Sequence, residues 1–245
     1  MELLFKVSKM KYTPSKQEIL VNDICIVIGN GISLRDVPLE FLQKYPTFAC
    51  NRIDKLTGFQ PTYYSCLNWE ILRSASQLLS ITPVVQNAER AFIHVMYTDY
   101  FPFQNIVAIA GRTPMDDSHH DFVHRPKVSH YEDRRHILVG VGYTQTYVNL
   151  QIAYWIGFRT ALLVGIDHDY GSKDRHFYKD SEIEDYYPYE TNPVKECIVA
   201  ITVAGADRVY RLARESYEAD GRRIINLTPN SKTDVFEFGD IEEWM

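Results

Sequence analysis

The residues whose types and spacing suit chemistry gather near positions 30 and 170. In the first group, the apolar run from Val21 to Ile28 leads directly into Gly29-Asn30-Gly31-Ile32-Ser33-Leu34. Glycines after such a strand allow a sharp turn and close approach of a ligand to the backbone. Gly31 and Ser33 offer a backbone donor and a hydroxyl to a phosphate at a helix start. In the second group, Ala161-Leu162-Leu163-Val164 ends in Gly165-Ile166-Asp167-His168-Asp169-Tyr170. Asp167 and Asp169 carry oxygen donors of the kind that hold Mg²⁺ or Mn²⁺. His176, in the adjoining His176-Phe177-Tyr178, has an ordinary pKa of about 6.5, which suits a general base.

Asn30, Asn51 and Asn68 each follow a predicted strand. Neighbouring parallel strands would bring the three amides to one crevice, where a donor and an acceptor suit a nucleobase edge or ribose hydroxyls. Gly142, Tyr143 and Thr144 repeat the Gly31–Ser33 arrangement ahead of another predicted helix. Each of these has an ordinary alternative. Asparagine favours strand-to-turn junctions, and serine and threonine serve as helix caps. His119, His120, His124, His130 and His136 follow no established zinc spacing, and no cysteine joins them.

Strands are expected at 23–28, 47–50, 62–66, 91–97 and 160–165, with short ones at 223–227 and 233–238. Helices are expected over 38–45, where Pro38 suits the first turn, over 69–80, over 144–156 with Gly157 as its stop, and over 193–219. Leu150, Ile152, Ala153 and Ile156 form one expected apolar helix face; Ile198, Ile201, Val203 and Ala204 form another. Residues 98–140 show little periodicity and much charge, which reads as a long lid-like insertion. The alternation predicts an α/β fold, a Rossmann-like and mainly parallel sheet flanked by helices. A polar arm over 1–20 precedes a single nucleotide-binding domain over 21–245.

Among 245 residues the net charge of −6 argues against a general nucleic-acid binder. No apolar run reaches the roughly 20 residues of a transmembrane segment, and the N-terminus lacks a basic-then-apolar secretion layout. The four cysteines (Cys25, Cys50, Cys66, Cys197) form no C-x-x-C pair and read as free thiols of a cytoplasmic protein. Seventeen tyrosines pair a hydroxyl with an aromatic body, a combination suited to sugar and nucleotide contacts.

Gly29-Asn30-Gly31-Ile32-Ser33-Leu34, Phe48-Ala49-Cys50-Asn51 and Gly165-Ile166-Asp167 resemble the bacterial lipooligosaccharide sialyltransferases. Those enzymes use CMP-activated sialic acid on a variant α/β nucleotide-binding fold, with no essential metal. Tyr147 to Phe158, Gly165 to Tyr170, His176-Phe177-Tyr178 and Gly221 to Pro229 resemble a related, mostly uncharacterised bacterial and archaeal family. That family is tied to surface-polysaccharide and flagellin-glycan assembly. It includes the archaeal hydroxymethyldihydropterin pyrophosphokinase, which moves diphosphate from ATP. The likeness spans about residues 22–238.

This resemblance implies a nucleotide site at Gly29, Asn30, Gly31, Ser33, Asn51, Asn68, Thr144, Gly165, Ile166, Asp167 and His168. In the sialyltransferases a histidine base and two tyrosines near the phosphate carry the chemistry. Tyr170 and Tyr178 lie in the corresponding loop, and the reading adopted here takes His176 as base and these tyrosines as holding the leaving phosphate. Two departures stand out: Asp169 falls near an expected tyrosine, and Ile32 stands where the sialyltransferases have proline. The sialyltransferase histidine also comes later in the chain than His176. The reading that results is a transferase of surface-glycan biosynthesis, binding a CMP-linked sugar and a glycan acceptor and requiring no cofactor. The first alternative is a Mg²⁺-dependent pyrophosphokinase taking ATP and a pterin-like alcohol, with Asp167 and Asp169 as metal ligands. The second is a nucleotide-sugar-binding protein without turnover. A homo-oligomer is open in each case.

Overall fold

The computed structural model describes residues 23–111, 120–172, 175–179 and 195–245, with the backbone alone for 195–198. The expected arm over 1–20 lies outside them. The strands are β1 (Ile24–Ile28), β2 (Thr47–Cys50), β3 (Tyr63–Cys66), β4 (Arg90–His94), β5 (Ile106–Gly111), β6 (Lys127–Tyr131), β7 (Arg134–Val139), β8 (Thr160–Val164), β9 (Arg223–Asn226) and β10 (Glu237–Phe238). They form one ten-stranded sheet in the order β10-β9-β8-β1-β2-β3-β4-β5-β7-β6. Every pairing is parallel except that of β6 with β7.

Because side chains alternate across a strand, each central strand feeds two cores. Cys25 and Val27 of β1 face one, with Leu163 of β8 and the helices α4 (Gln145–Ile156) and α5 (Lys195–Ala219). Ile26 and Ile28 face the other, with Phe41 of α1 (Leu39–Lys44), Leu72 of α2 (Trp69–Arg73) and Val85 of α3 (Ala75–Asn87). The result is the expected Rossmann-like sheet between helical layers.

Three expectations are corrected here. The segment 98–140 supplies β5, β6 and β7 and so forms the sheet's edge rather than a lid. Ile106-Val107-Ala108-Ile109-Ala110 is its apolar signal, and β6 turns into β7 through Glu132 and Asp133, with Glu132 in the left-handed region at φ 52°. The helix expected over 69–80 is two, α2 and α3, broken at an extended Ser74. The buried face of α5 is Ala206, Val209, Tyr210, Ala213 and Tyr217, whereas Ile201 and Ala204 are exposed. Ile198 lies among the residues whose side chains are not described.

Helix α4 is buried all round from Thr146 to Tyr154, not along one apolar face. Its polar residues are therefore structural. Gln151, wholly buried, accepts from the Gly140 and Val123 amides (2.9 and 3.1 Å) and donates to the Gly140 carbonyl (2.9 Å). It thereby fixes the loop between β7 and α4, since a buried backbone group without a partner is costly. Gly157 ends the helix at φ 113°, as the sequence predicts.

Candidate functional site

The strand order reverses at β1, whose neighbours are β2 on one side and β8 on the other. Loops leaving a parallel sheet at such a point diverge and leave a crevice beyond the carboxyl ends. A cavity of about 210 Å³ opens there. Its walls come from the loops after β1 (Gly29, Asn30, Gly31), β2 (Cys50, Asn51) and β8 (Gly165 to Tyr170), the start of α4 (Tyr143 to Thr146), Arg175 with His176, and Tyr210 of α5. The two groups of residues separated by some 135 positions in the chain thus meet around one opening.

The glycines have a reason the sequence did not disclose. Gly29 and Gly31 donate to the carbonyls of Val164 and Gly165 (2.8 and 2.9 Å). A Cβ on Gly29 would sit 2.3 Å from Gly165 O, and one on Gly31 would sit 1.9 Å from Asp167 Oδ2. They let the β1 and β8 loops lie against each other; Gly31 itself is extended, at φ −68°. Gly165 alone of this group needs the left-handed region, at φ 67°.

Ser33 and Asp167 are hydrogen-bonded to each other. The Ser33 amide and hydroxyl both donate to the Asp167 carboxylate, the hydroxyl at 2.8 Å. Ser33 does not line this cavity but an adjoining one, with Asp167, Asp169, Arg175 and Lys232, and its bonds to Asp167 clasp the two loops together. Asp169 pairs with Lys232 at 2.7 Å. Both proposed metal ligands thus have protein partners, and among the described residues no three His, Cys, Asp or Glu side chains are grouped to hold a metal. That includes the described members of the histidine series. His120 stacks on Tyr143, His136 is buried, and His119 lies outside the described residues.

Of the three asparagines, two reach the cavity. Asn30 donates to the Cys50 carbonyl (3.2 Å), and its Oδ1 is buried with no partner among the described residues. Asn51, left-handed at φ 49°, accepts a weak bond from the Cys66 thiol. Asn68 does not join them: its Oδ1 accepts from the Glu70 amide (2.9 Å) and caps α2. The cap reading wins because the chain enters α2 directly after β3. Thr144 both caps α4, accepting from the Thr146 amide, and lines the cavity.

His176 lines the cavity, its backbone bridged to Gly31, and its ring stacks on Tyr178 (centroids 4.9 Å apart). Tyr178 therefore backs the histidine and is not part of the cavity wall. Tyr170 is on the wall; burial pushes its phenol well above the ordinary range, so it stays a neutral donor. Tyr210 is pushed to about 12 for the same reason and donates to Thr144 Oγ1 (3.4 Å).

His168 is buried at the cavity wall in the left-handed region (φ 58°). Its Nε2 lies 3.1 Å from Asp207 Oδ1, off the ideal hydrogen-bond line, and Thr233 Oγ1 donates to the same oxygen at 3.2 Å. Burial lowers its pKa, and Asp207 opposes that in part. The loop after β9 holds this strand end in place: Ile166 N donates to Thr228 Oγ1 (3.0 Å) and Lys232 N to the Asp167 carbonyl (3.0 Å). Arg175, Gln145, Tyr210 and Asp207 were not singled out from sequence. Arg175 and Gln145 adjoin residues that were, whereas Tyr210 and Asp207 sit on a long helix with no local signal.

No protein-family model matches the chain, and no curated protein matches it by sequence. Its structure is similar to that of the monofunctional alpha-2,3-sialyltransferase Cst-I from Campylobacter jejuni. The two chains share a fold. The TM-score is 0.50 at 15% identity, over 95% of this chain and 84% of that one. At such identity the likeness speaks for architecture, because one fold hosts many activities. No helix among the described residues is long and apolar enough to cross a membrane.

Proposed function

We propose that this chain is a glycosyltransferase of surface-glycan assembly that takes a nucleotide-activated sugar, CMP-linked in the first instance, and a glycan acceptor. The observation that carries the reading is the cavity at the strand-order reversal, where the start of the twelve-residue helix α4 meets the loops of β1 and β8. A helix N-terminus favours a phosphate. The fold shared with an alpha-2,3-sialyltransferase supports sugar transfer, and the choice of CMP follows the resemblance of the Gly29–Leu34 and Phe48–Asn51 runs to the lipooligosaccharide sialyltransferases.

In this reading an acceptor hydroxyl attacks the sugar's anomeric carbon. The new C–O bond forms as the bond to the phosphate oxygen breaks, CMP departs, and the hydroxyl proton passes to His176. Tyr170, a neutral donor on the wall, hydrogen-bonds the departing phosphate. Tyr178 steadies the His176 ring by stacking. This reading takes the reaction as metal-independent; Asp167 and Asp169 pair with Ser33 and Lys232.

The test is a thermal-shift series with CMP, CMP-sialic acid, UDP-sugars and ATP, each with and without Mg²⁺. A ligand at 100 times its Kd adds about 2.7 kcal/mol, a rise of about 5–10 °C for a chain of this size. A metal-independent rise with the CMP compounds is expected. A rise confined to ATP with Mg²⁺ would replace this reading with diphosphate transfer to a pterin-like alcohol. Binding without product over a broad acceptor panel would leave a nucleotide-sugar-binding protein. Where turnover is seen, His176→Ala should slow it about 10²–10⁴-fold.

A further inference from the structure

We infer that the adjoining cavity, which shares Asp167, Asp169 and Arg175 with the first, is the acceptor subsite and takes an uncharged, polyhydroxylated sugar. The inference rests on the glycosyltransferase reading above and gives its second substrate a place and a charge.

This second cavity measures about 360 Å³, within the usual range for a small-molecule site and larger than the 210 Å³ of the first. Arg175, on the wall of both, precedes His176, the base of this reading. The His176 backbone is bridged to Gly31, and the next residues, Ile32 and Ser33, belong to the second wall. A ligand seated there lies beside the base and next to the nucleotide cavity. Transfer needs the acceptor hydroxyl held at that junction, because the two substrates must meet at one carbon.

The polar side chains of the second cavity fall into two sets. Ser33 is bonded to Asp167, and Lys232 holds Asp169 at 2.7 Å. The side chains of Asp36, Ser172 and Asn230 have no hydrogen-bond or ion-pair partner among the described residues. They offer a carboxylate that accepts, and a hydroxyl and an amide that both donate and accept. Sugar hydroxyls match that mixture and can replace the waters on such groups bond for bond. Three carboxylates stand against Arg175 and Lys232, and Lys232 is already paired, so an anion gains no net attraction. No aromatic ring lines this cavity, so a nucleobase has nothing there to stack on.

The experiment titrates galactose, glucose, N-acetylglucosamine and lactose into ¹⁵N-labelled wild type, Asp36→Ala and Asn230→Gly, with and without CMP. Glucuronate and glucose 6-phosphate serve as charged counterparts. Asn230 is in the left-handed region (φ 56°), so glycine keeps the loop's backbone while removing the amide. At least one neutral sugar should shift the amide signals of Ile32, Ser172 and Lys232. Its affinity should fall about fivefold in each variant, the loss of about one hydrogen bond. CMP should bind the variants as it binds the wild type, which also shows that they fold. No shift of these amides with any neutral sugar would overturn the inference. So would equal sugar affinities in the wild type and both variants, or tighter binding of the charged sugars than of the neutral ones. Neutral sugars binding there while no CMP compound binds the first cavity would instead overturn the nucleotide reading, and the acceptor role with it.

Discussion

Replacing Gly29 by alanine should destabilise the protein although its backbone needs no left-handed angle. The added Cβ would sit 2.3 Å from Gly165 O, where ordinary contact begins at 3.4 Å. Relief requires the β1 and β8 loops to part by about 1 Å, and such overpacking costs about 1–3 kcal/mol. The same movement stretches the bonds from Gly29 N to Val164 O and from Gly31 N to Gly165 O, each worth about 1 kcal/mol. Restricting the unfolded chain returns about 0.4–1 kcal/mol. The net loss is about 2–3 kcal/mol, or a fall of about 5–10 °C in Tm for a chain of this length. Gly171→Ala is the control, because nothing lies within 4 Å of its added Cβ. Scanning calorimetry with urea titration reads both variants. A Gly29→Ala protein as stable as Gly171→Ala would refute the packing account of this glycine pair and restore the view that it exists only to admit a ligand.

Asn68→Ala should cost about 1 kcal/mol through loss of the α2 cap and leave nucleotide affinity unchanged; calorimetric binding beside a urea midpoint checks both halves. A pH dependence follows from His168, whose folded pKa lies below the ordinary 6.5 because it is buried, with Asp207 in partial opposition. On acidification the unfolded chain takes up the proton first. Stability from this residue is therefore intact above about pH 6.5 and is lost as pH falls towards the folded pKa, by at most about 1.4 kcal/mol per pH unit. Urea midpoints between pH 7.5 and 5 should show the decline, and His168→Gln should flatten it.

The strands of the sheet's centre were legible in the sequence because each is a short β-branched or aromatic run closed by glycine or asparagine. Burial on both faces demands that composition. The edge was not legible in the same way. β6 is mostly exposed and β7 partly so, and their charge masked the strands. Helix α5 misled for the opposite reason: its apolar Ile201 is exposed, and among its described side chains the buried stripe begins at Ala206.

The chain by itself determined that strands would end in glycine, asparagine, aspartate and histidine, and that a parallel sheet would carry those ends to one edge. Which ends share a crevice was decided by the tertiary structure. Strand order placed β8 beside β1, so Asp167 met Ser33 and Gly29 met Gly165. Asn68, entering α2 directly after β3, caps its own helix, and α5 brought Asp207 to His168 across 39 positions. Local sequence fixes the conformation a residue can adopt, but partners distant in the chain are set by how whole elements pack.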